Sequence, residues 1–147
     1  METVLVTGGA GYVGSHVCRE LRRAGYSVVV LDDLSTGRRE LARDAELVIG
    51  DIGDEGAVRT LISSRRIETV VHCAAKASVE ESVRNPELYR RVNVEKGGAL
   101  LRAATDAGAH HFIFSSSCAV YGLPTLVPIP EDQPVRPSHP YGETKAR

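Results

Sequence analysis

Lysine is scarce in this sequence. Of eighteen basic residues only Lys76, Lys96 and Lys145 are lysines, so each of the three asks for a reason. The net charge is −1 with both signs well mixed, which argues against a nucleic-acid partner or an anionic membrane surface. No apolar run approaches the ~20 residues that a bilayer-crossing helix needs, and the first residues read as a strand rather than a signal peptide. Cysteine is confined to Cys18, Cys73 and Cys118, an odd set without metal-ligand spacing. No metal site is expected, and buried, reduced thiols in a cytosolic protein are the simplest reading. Internal repeats and low-complexity tracts are absent. At 147 residues the chain is one domain's worth and long enough to bury a real core.

What is present is a glycine cluster in a telling place. The stretch Thr7-Gly8-Gly9-Ala10-Gly11-Tyr12-Val13-Gly14 follows the apolar run Val4-Leu5-Val6 and opens a helix-like segment. Glycines 9, 11 and 14 fit the pattern G-x-G-x-x-G, while glycines 8, 11 and 14 fit G-x-x-G-x-x-G. Either spacing clears side chains from the place where backbone amides meet a pyrophosphate at a positive helix N-terminus. A second strand ends in Asp32, 21 residues after Gly11, close to where a ribose-binding carboxylate belongs.

Strand and helix then alternate along the chain. Strands are expected at Thr3–Thr7, Ser27–Leu31, Leu47–Ile49 (short and buried), Thr69–His72 and Phe112–Ser115. Helices are expected over about Tyr12–Ala24, closed by Gly25, and over about Glu55–Ser64, with Val58, Leu61 and Ile62 inward. From Asn85-Pro86 a long helix should run to about Gly108, with Leu88, Val92, Leu100, Leu101 and Ala104 as its inward stripe. Such continuous apolar strands between amphipathic helices predict a doubly wound parallel α/β sheet, ending at its fifth strand. Its ligands bind beyond the carboxyl ends of the strands, where Asp32, Asp51, His72 and Ser115–Ser117 fall. Six of the seven prolines lie between Pro124 and Pro140, in an irregular loop before a helix start at Tyr141-Gly142-Glu143-Thr144-Lys145.

Tyr141 and Lys145 stand four apart and so share one helix face. An ammonium close to a phenol favours the phenolate and makes the tyrosine a usable proton acceptor. The run Ser115-Ser116-Ser117, 24 residues before Tyr141 counting from Ser117, offers a strand-end hydroxyl to hold a substrate oxygen. Ordinary strand-to-loop hydrogen bonding accounts for two of these three serines.

The motifs TGGAGYVGSH, DDLSTG, GDI, HCAAKASVEESV, FIFSSSCAVYG and PSHPYGETK occur in the order seen in the extended short-chain dehydrogenase/reductases. From Thr3 to Lys145 the chain resembles that family, and within it the branch that epimerises carbon 4 of UDP-hexoses. The resemblance implies a Rossmann-type NAD-binding domain over residues 1–147, incomplete and lacking the substrate domain of a family roughly twice as long. It places Gly8, Gly11, Tyr12, Val13 and Gly14 by the cofactor's pyrophosphate. Asp32 would lie on the adenosine ribose, with Asp33, Leu34, Ser35, Thr36 and Gly37 around it. Asp51 and Ile52 would bracket the adenine. Cys73, Ala74, Ala75 and Lys76 would pass the centre of the cofactor through their backbone, with Asn93 nearby. Tyr141 is implied as the acid/base residue, Lys145 as its electrostatic partner and ribose anchor, and Ser117 as the hydroxyl on the sugar. The implied substrate is a UDP-sugar and the implied cofactor NAD, recycled within each turnover. A cytoplasmic homodimer is implied for the full-length form, and the 147 residues alone are expected to be inactive.

Departures from the family pattern narrow this. Lys76 falls one position before the lysine that some members place on the cofactor. Val92-Asn93 stands where some members have two asparagines, leaving Asn93 as the candidate. Gly97 and Gly98 should each cost about 1 kcal/mol relative to alanine inside a helix, which close packing would have to offset. The related 4,6-dehydratases carry Thr-Asp-Glu where this chain has Ser117-Cys118-Ala119, so that elimination chemistry lacks its acid and base here. Another UDP-sugar epimerase or decarboxylase, and a non-catalytic dinucleotide-binding module, remain as alternatives.

Overall fold

A computed structural model describes residues 2–147. They fall into two compact units, one made of the chain up to Ala74 together with Lys96–Ser115, the other of Ala75–Glu95 and Ser116–Arg147.

The first unit is a parallel sheet of five strands: β1 (Thr3–Thr7), β2 (Ser27–Asp32), β3 (Glu46–Ile49), β4 (Thr69–His72) and β5 (His111–Phe114), in the order β3-β2-β1-β4-β5. Alternation along the strands sends side chains to opposite faces. Leu5, Val29, Leu31 and Val70 meet Val58, Leu61 and Ile62 of helix α2 (Glu55–Arg65) and Leu100, Ala103 and Ala104 of a later helix, Gly97–Asp106. Val4, Val6, Val28, Val30 and Val71 meet Cys18 of helix α1 (Tyr12–Arg23) on the other side. The Rossmann-like, doubly wound reading therefore holds, with the strand order reversing beside β1.

Three details depart from expectation. β3 was expected to be buried, but it lies at the edge of the sheet and leaves Ile49 exposed. β5, the other edge, begins and ends one residue earlier than its apolar pattern suggests, and Ile113 and Phe114 are exposed. The thiols differ in burial: Cys18 is buried, Cys73 is half-buried and Cys118 is exposed. Burial, and then the neighbouring Cys73, push the Cys18 thiol up to about 12.

The second unit is built from short helices. α3 (Val79–Arg84) is capped by Ser78, whose hydroxyl accepts the Glu81 N–H at 3.2 Å. α4 (Pro86–Tyr89) has proline at its first position and the Asn85 side chain as its cap. Its helical path continues through a π-type segment, Arg90–Lys96, before α5 (Gly97–Asp106) begins. One long α-helix was expected here, and the wider π turns break its period. The inward stripe of α5 is Ala99, Leu100, Ala103 and Ala104, while Leu101 is 46% exposed. After a 3₁₀ turn at Cys118–Tyr121 and the proline-rich loop, α6 (Pro140–Lys145) closes the unit.

Gly97 and Gly98 do not meet the close packing expected of them. A Cβ at Gly97 would sit 3.4 Å from His72 Nε2, and one at Gly98 would sit 3.5 Å from an Arg102 guanidinium nitrogen, both ordinary contacts. Gly98→Ala should therefore stabilise the chain by about 1 kcal/mol. Thermal unfolding of the two forms reads this as a rise of a few degrees, and a fall would contradict the open space at this position.

Candidate functional site

In the first unit the candidate site is built on the carboxyl ends of β1 and β2. The chain leaves β1 into a turn in which the Gly11 N–H donates to the Gly8 carbonyl at 3.0 Å. Gly8 has φ +71°, and a Cβ there would lie 2.6 Å from the Ala74 nitrogen. A Cβ at Gly14 would lie 2.2 Å from the Gly8 oxygen, so α1 approaches the turn only because residue 14 has no side chain. Gly11 is less hemmed in, its nearest neighbour being the Gly8 oxygen at 3.2 Å. Of the two spacings, glycines 8, 11 and 14 thus form the turn itself. Gly9 serves packing, since a Cβ would strike the Val30 side chain at 2.6 Å.

The N-terminus of α1 follows immediately. Gly11 is its cap, no side chain bonds to the cap position, and no acid stands in its first turn. Such an end presents amide hydrogens and the positive pole of the helix. Tyr12, 79% exposed, and Val13 begin that turn. The short loop and bare helix end fit a phosphate group, on the geometry of the residues themselves.

Asp32 is only 7% exposed, and its carboxylate is already at work. Oδ2 accepts the Ala10 N–H at 3.0 Å and Oδ1 accepts the Leu34 N–H at 2.9 Å. The Arg38 N–H returns to the Ala10 carbonyl at 2.9 Å, folding the loop over the glycine turn. Within that loop the Ser35 N–H donates to Asp33 Oδ1 at 2.9 Å and Leu34 takes a positive φ of 58°. Thr36 is exposed, and Gly37 lies so close that a Cβ would sit 2.8 Å from Asp32 Oδ1. A carboxylate has about four acceptor sites, so two remain for a ribose.

Asp51 and Ile52 divide their tasks. The Ile52 side chain belongs to the apolar core, whereas Asp51 is exposed and carries an ion pair with Lys96. Burial pushes the Asp51 carboxyl up, but hydrogen bonds from Lys96 and the Gly53 amide, with the lysine's charge, hold it below the ordinary aspartate value. Cys73 donates its N–H to the Thr7 carbonyl at 3.0 Å, so that amide is spent on the sheet.

In the second unit, α6 carries Tyr141 and Lys145. His139 caps it, with ring Nδ1 accepting the Gly142 N–H at 3.1 Å, and Pro140 occupies the first helical position. The Tyr141 ring lies parallel to the His139 ring at 6.1 Å and edge-on to Tyr89 at 6.4 Å. Tyr89 is fully buried; its hydroxyl donates to Glu81 at 2.8 Å and accepts the Ser78 N–H at 2.9 Å. Burial, and then the bond to Glu81, push the Tyr89 phenol up to about 12. Lys145 is 6% exposed.

The helix is fixed to its surroundings at three points. A Cβ on Gly142 would lie 2.6 Å from the Ala119 oxygen, so α6 sits directly on the turn that begins at Ser117. The Ser116 hydroxyl donates to the Lys145 carbonyl at 3.1 Å. The third point is Asn93, whose buried amide accepts the Lys76 N–H at 2.8 Å and donates to the Lys76 carbonyl and the Thr144 hydroxyl, both at 3.0 Å. Both backbone groups of Lys76 are thereby engaged with Asn93. Asn93 ties a loop to α6. Ser117 accepts the Ala119 N–H at 3.2 Å, which leaves its own proton to be donated elsewhere. Ala75 is half-buried in the same loop as Lys76.

Sequence reasoning missed His139, Gly142, Tyr89 and the Lys96–Asp51 pair. A polar residue directly before proline is a readable cap signal; the other three depend on contacts far apart in the chain. No cluster of metal-ligating side chains occurs among the described residues, and no helix among them is long and apolar enough to cross a membrane.

Comparison with known proteins matches residues 4–147 to the NAD dependent epimerase/dehydratase family. The chain is 47% identical to a UDP-glucose 4-epimerase of Lactobacillus helveticus, over 97% of this chain and 43% of that protein. It is 48% identical to one of Streptomyces lividans, over 96% of this chain and 44% of that protein. Among solved structures, the UDP-glucose 4-epimerase of Brucella ovis in complex with NAD superposes with a TM-score of 0.95 at 43% identity, covering 99% of this chain and 45% of that one. That of Thermotoga maritima with UDP-glucose gives 0.90 at 40% identity, covering 97% and 47%. The chain belongs to the NAD dependent epimerase/dehydratase family, and it spans less than half the length of these relatives.

The Asn93 clamp has a direct consequence. Asn93→Ala leaves the Lys76 amide and carbonyl without their partner, at about 1–3 kcal/mol for each buried group left unsatisfied. Urea unfolding should show a loss of at least about 2 kcal/mol. Amide exchange at Lys76 should also speed up well before global unfolding. Unchanged protection at Lys76 would contradict the clamp.

Proposed function

We propose that, as a member of this family, the chain provides the cofactor cradle and the acid/base residues of an NAD-dependent epimerase acting at carbon 4 of a UDP-hexose, interconverting UDP-glucose and UDP-galactose. The observation that carries this reading is the seating of Tyr141 and the nearly buried Lys145 on one short helix that rests on the Ser117 turn. Similarity to the epimerases supports the substrate class.

Each residue then has a task. Glycines 8, 11 and 14 shape the turn, and the bare first turn of α1 at Tyr12 and Val13 receives the pyrophosphate. Asp32 turns its remaining acceptor sites to the adenosine ribose, while Asp33 to Gly37 and the Asp51-Ile52 pair line the adenosine end. When bound, NAD supplies a reversible hydride acceptor for carbon 4. Tyr141 Oη removes the proton of the 4-hydroxyl and later returns it. Lys145 sets its charge one helical turn away, on the same helix face. Ser117, with its oxygen already engaged by Ala119, donates its proton to a sugar oxygen. Three cysteines outside any disulfide, one of them exposed, fit a reducing compartment such as the cytosol.

Two measurements test this reading. In the whole protein, Tyr141→Phe should lower conversion of UDP-galactose to UDP-glucose by about a hundredfold to ten-thousandfold with bound NAD unchanged. Near-normal turnover would contradict the role of the phenol. Calorimetric titration should show NAD bound more tightly than NADP, because Asp32 repels a phosphate at the ribose. Arg38 and Arg39, which follow the loop, are the residues that would reverse this preference, and tighter NADP binding would overturn the assignment.

A further inference from the structure

Neither the glycine loop nor the acid/base helix gives Lys96 a task. It stands directly before α5 and points its ammonium at Asp51 Oδ2. The other carboxylate oxygen accepts the Gly53 N–H at 2.8 Å. The lysine's stem lies over the same turn, since a Cβ on Gly53 would be 2.9 Å from Lys96 Cγ and 3.2 Å from Cδ. Head and stem together therefore fix both the turn Asp51–Gly53 and the orientation of the carboxylate at its start.

As a stability device this pair is poor. The Lys96 and Asp51 side chains are 30% and 46% exposed, and an ion pair so open to water contributes only about 0–1 kcal/mol. The arrangement does leave an ionised carboxylate in one rotamer, with acceptor sites that neither Lys96 nor Gly53 uses. A group that accepts only is selective among purines. It bonds to the exocyclic amine of adenine, and it repels the carbonyl oxygen that hypoxanthine carries at the same ring position.

We propose that Lys96 is a specificity-determining residue, one that positions Asp51 to read the adenine amino group of the dinucleotide. This rests on the adenosine reading of Asp51 given above. Lys96 does not touch the ligand in this scheme; it acts through the carboxylate that it holds.

The test is calorimetric titration of this chain with NAD and with nicotinamide hypoxanthine dinucleotide, which differs at that ring position. The parent chain should prefer NAD on the order of tenfold, the value of one hydrogen bond to a charged group. Lys96→Met, which keeps the stem and removes the charge, should lose that preference by weakening NAD alone. Lys96→Arg should retain much of it, and the thermal midpoints of all three should agree closely. An equal loss of both ligands in Lys96→Met would show general attraction for the phosphates and overturn the proposal. No change in either ligand would reduce Lys96 to a surface ion pair and overturn it as well. If the parent chain binds neither dinucleotide, the cofactor reading itself falls and takes this inference with it.

Discussion

The carboxylate of Asp32 is the constraint on which the first unit's site depends. It stands at the end of a central strand, nearly out of water, and spends one hydrogen bond on each of two loops, at Ala10 and at Leu34. Without it the glycine turn and the loop that follows β2 would keep the Arg38 return to Ala10 but lose both bonds to the strand-end carboxylate. Burying a carboxylate is costly unless its lone pairs are satisfied, so the loops and the acid stabilise one another. The carboxylate at this position is therefore oriented before any ligand arrives. Preorganisation of that kind lowers the entropic cost of binding.

In the second unit the comparable part is played by Asn93. A helix of six residues does not hold its shape in water alone. α6 is kept by the His139 cap, the Ser116 bond to its last carbonyl, the close seat of Gly142 and the Asn93 bond to Thr144. The π-type segment that carries Asn93 fits a general tendency, because wide helical turns occur where a side chain has to be re-aimed. Glycine at 142 sacrifices helix propensity for approach to the Ala119 carbonyl. The consequence is a tyrosine and a nearly buried lysine held in fixed relation on one helix.

How much of this the sequence revealed varied with the range of the interaction. β1, β4, α1 and α2 were legible because apolar period is local; the Asp54 cap of α2, through the Ala57 N–H at 3.0 Å, came from the structure. The edge position of β3 was not legible, since strand order is a property of the whole sheet. Leu101 was misassigned because the π turns shift the helical period before α5 begins, and no residue pattern announces them. α3 could have been found from Ser78 and Glu81, which have the spacing of a capping box. Among site residues, glycines 8, 11 and 14, Asp32, Ser117, Tyr141 and Lys145 carried their own signal. The anchoring contacts of Asn93, Gly142 and Lys96 join residues 17 to 51 positions apart, which spacing alone cannot disclose.

In the proposed function the glycine turn and the bare end of α1 receive a dinucleotide. Amide chemical shifts of the isotope-labelled chain during titration with NAD test it most directly. The account predicts that the largest changes fall on Gly8 to Gly14, with further changes at Leu34 to Gly37 and Asp51 to Gly53. It also predicts that Thr3 and Glu46, at the opposite ends of their strands, stay still. Saturable binding that leaves Gly11, Tyr12 and Val13 unmoved, or that moves the amino ends of the strands instead, would contradict it.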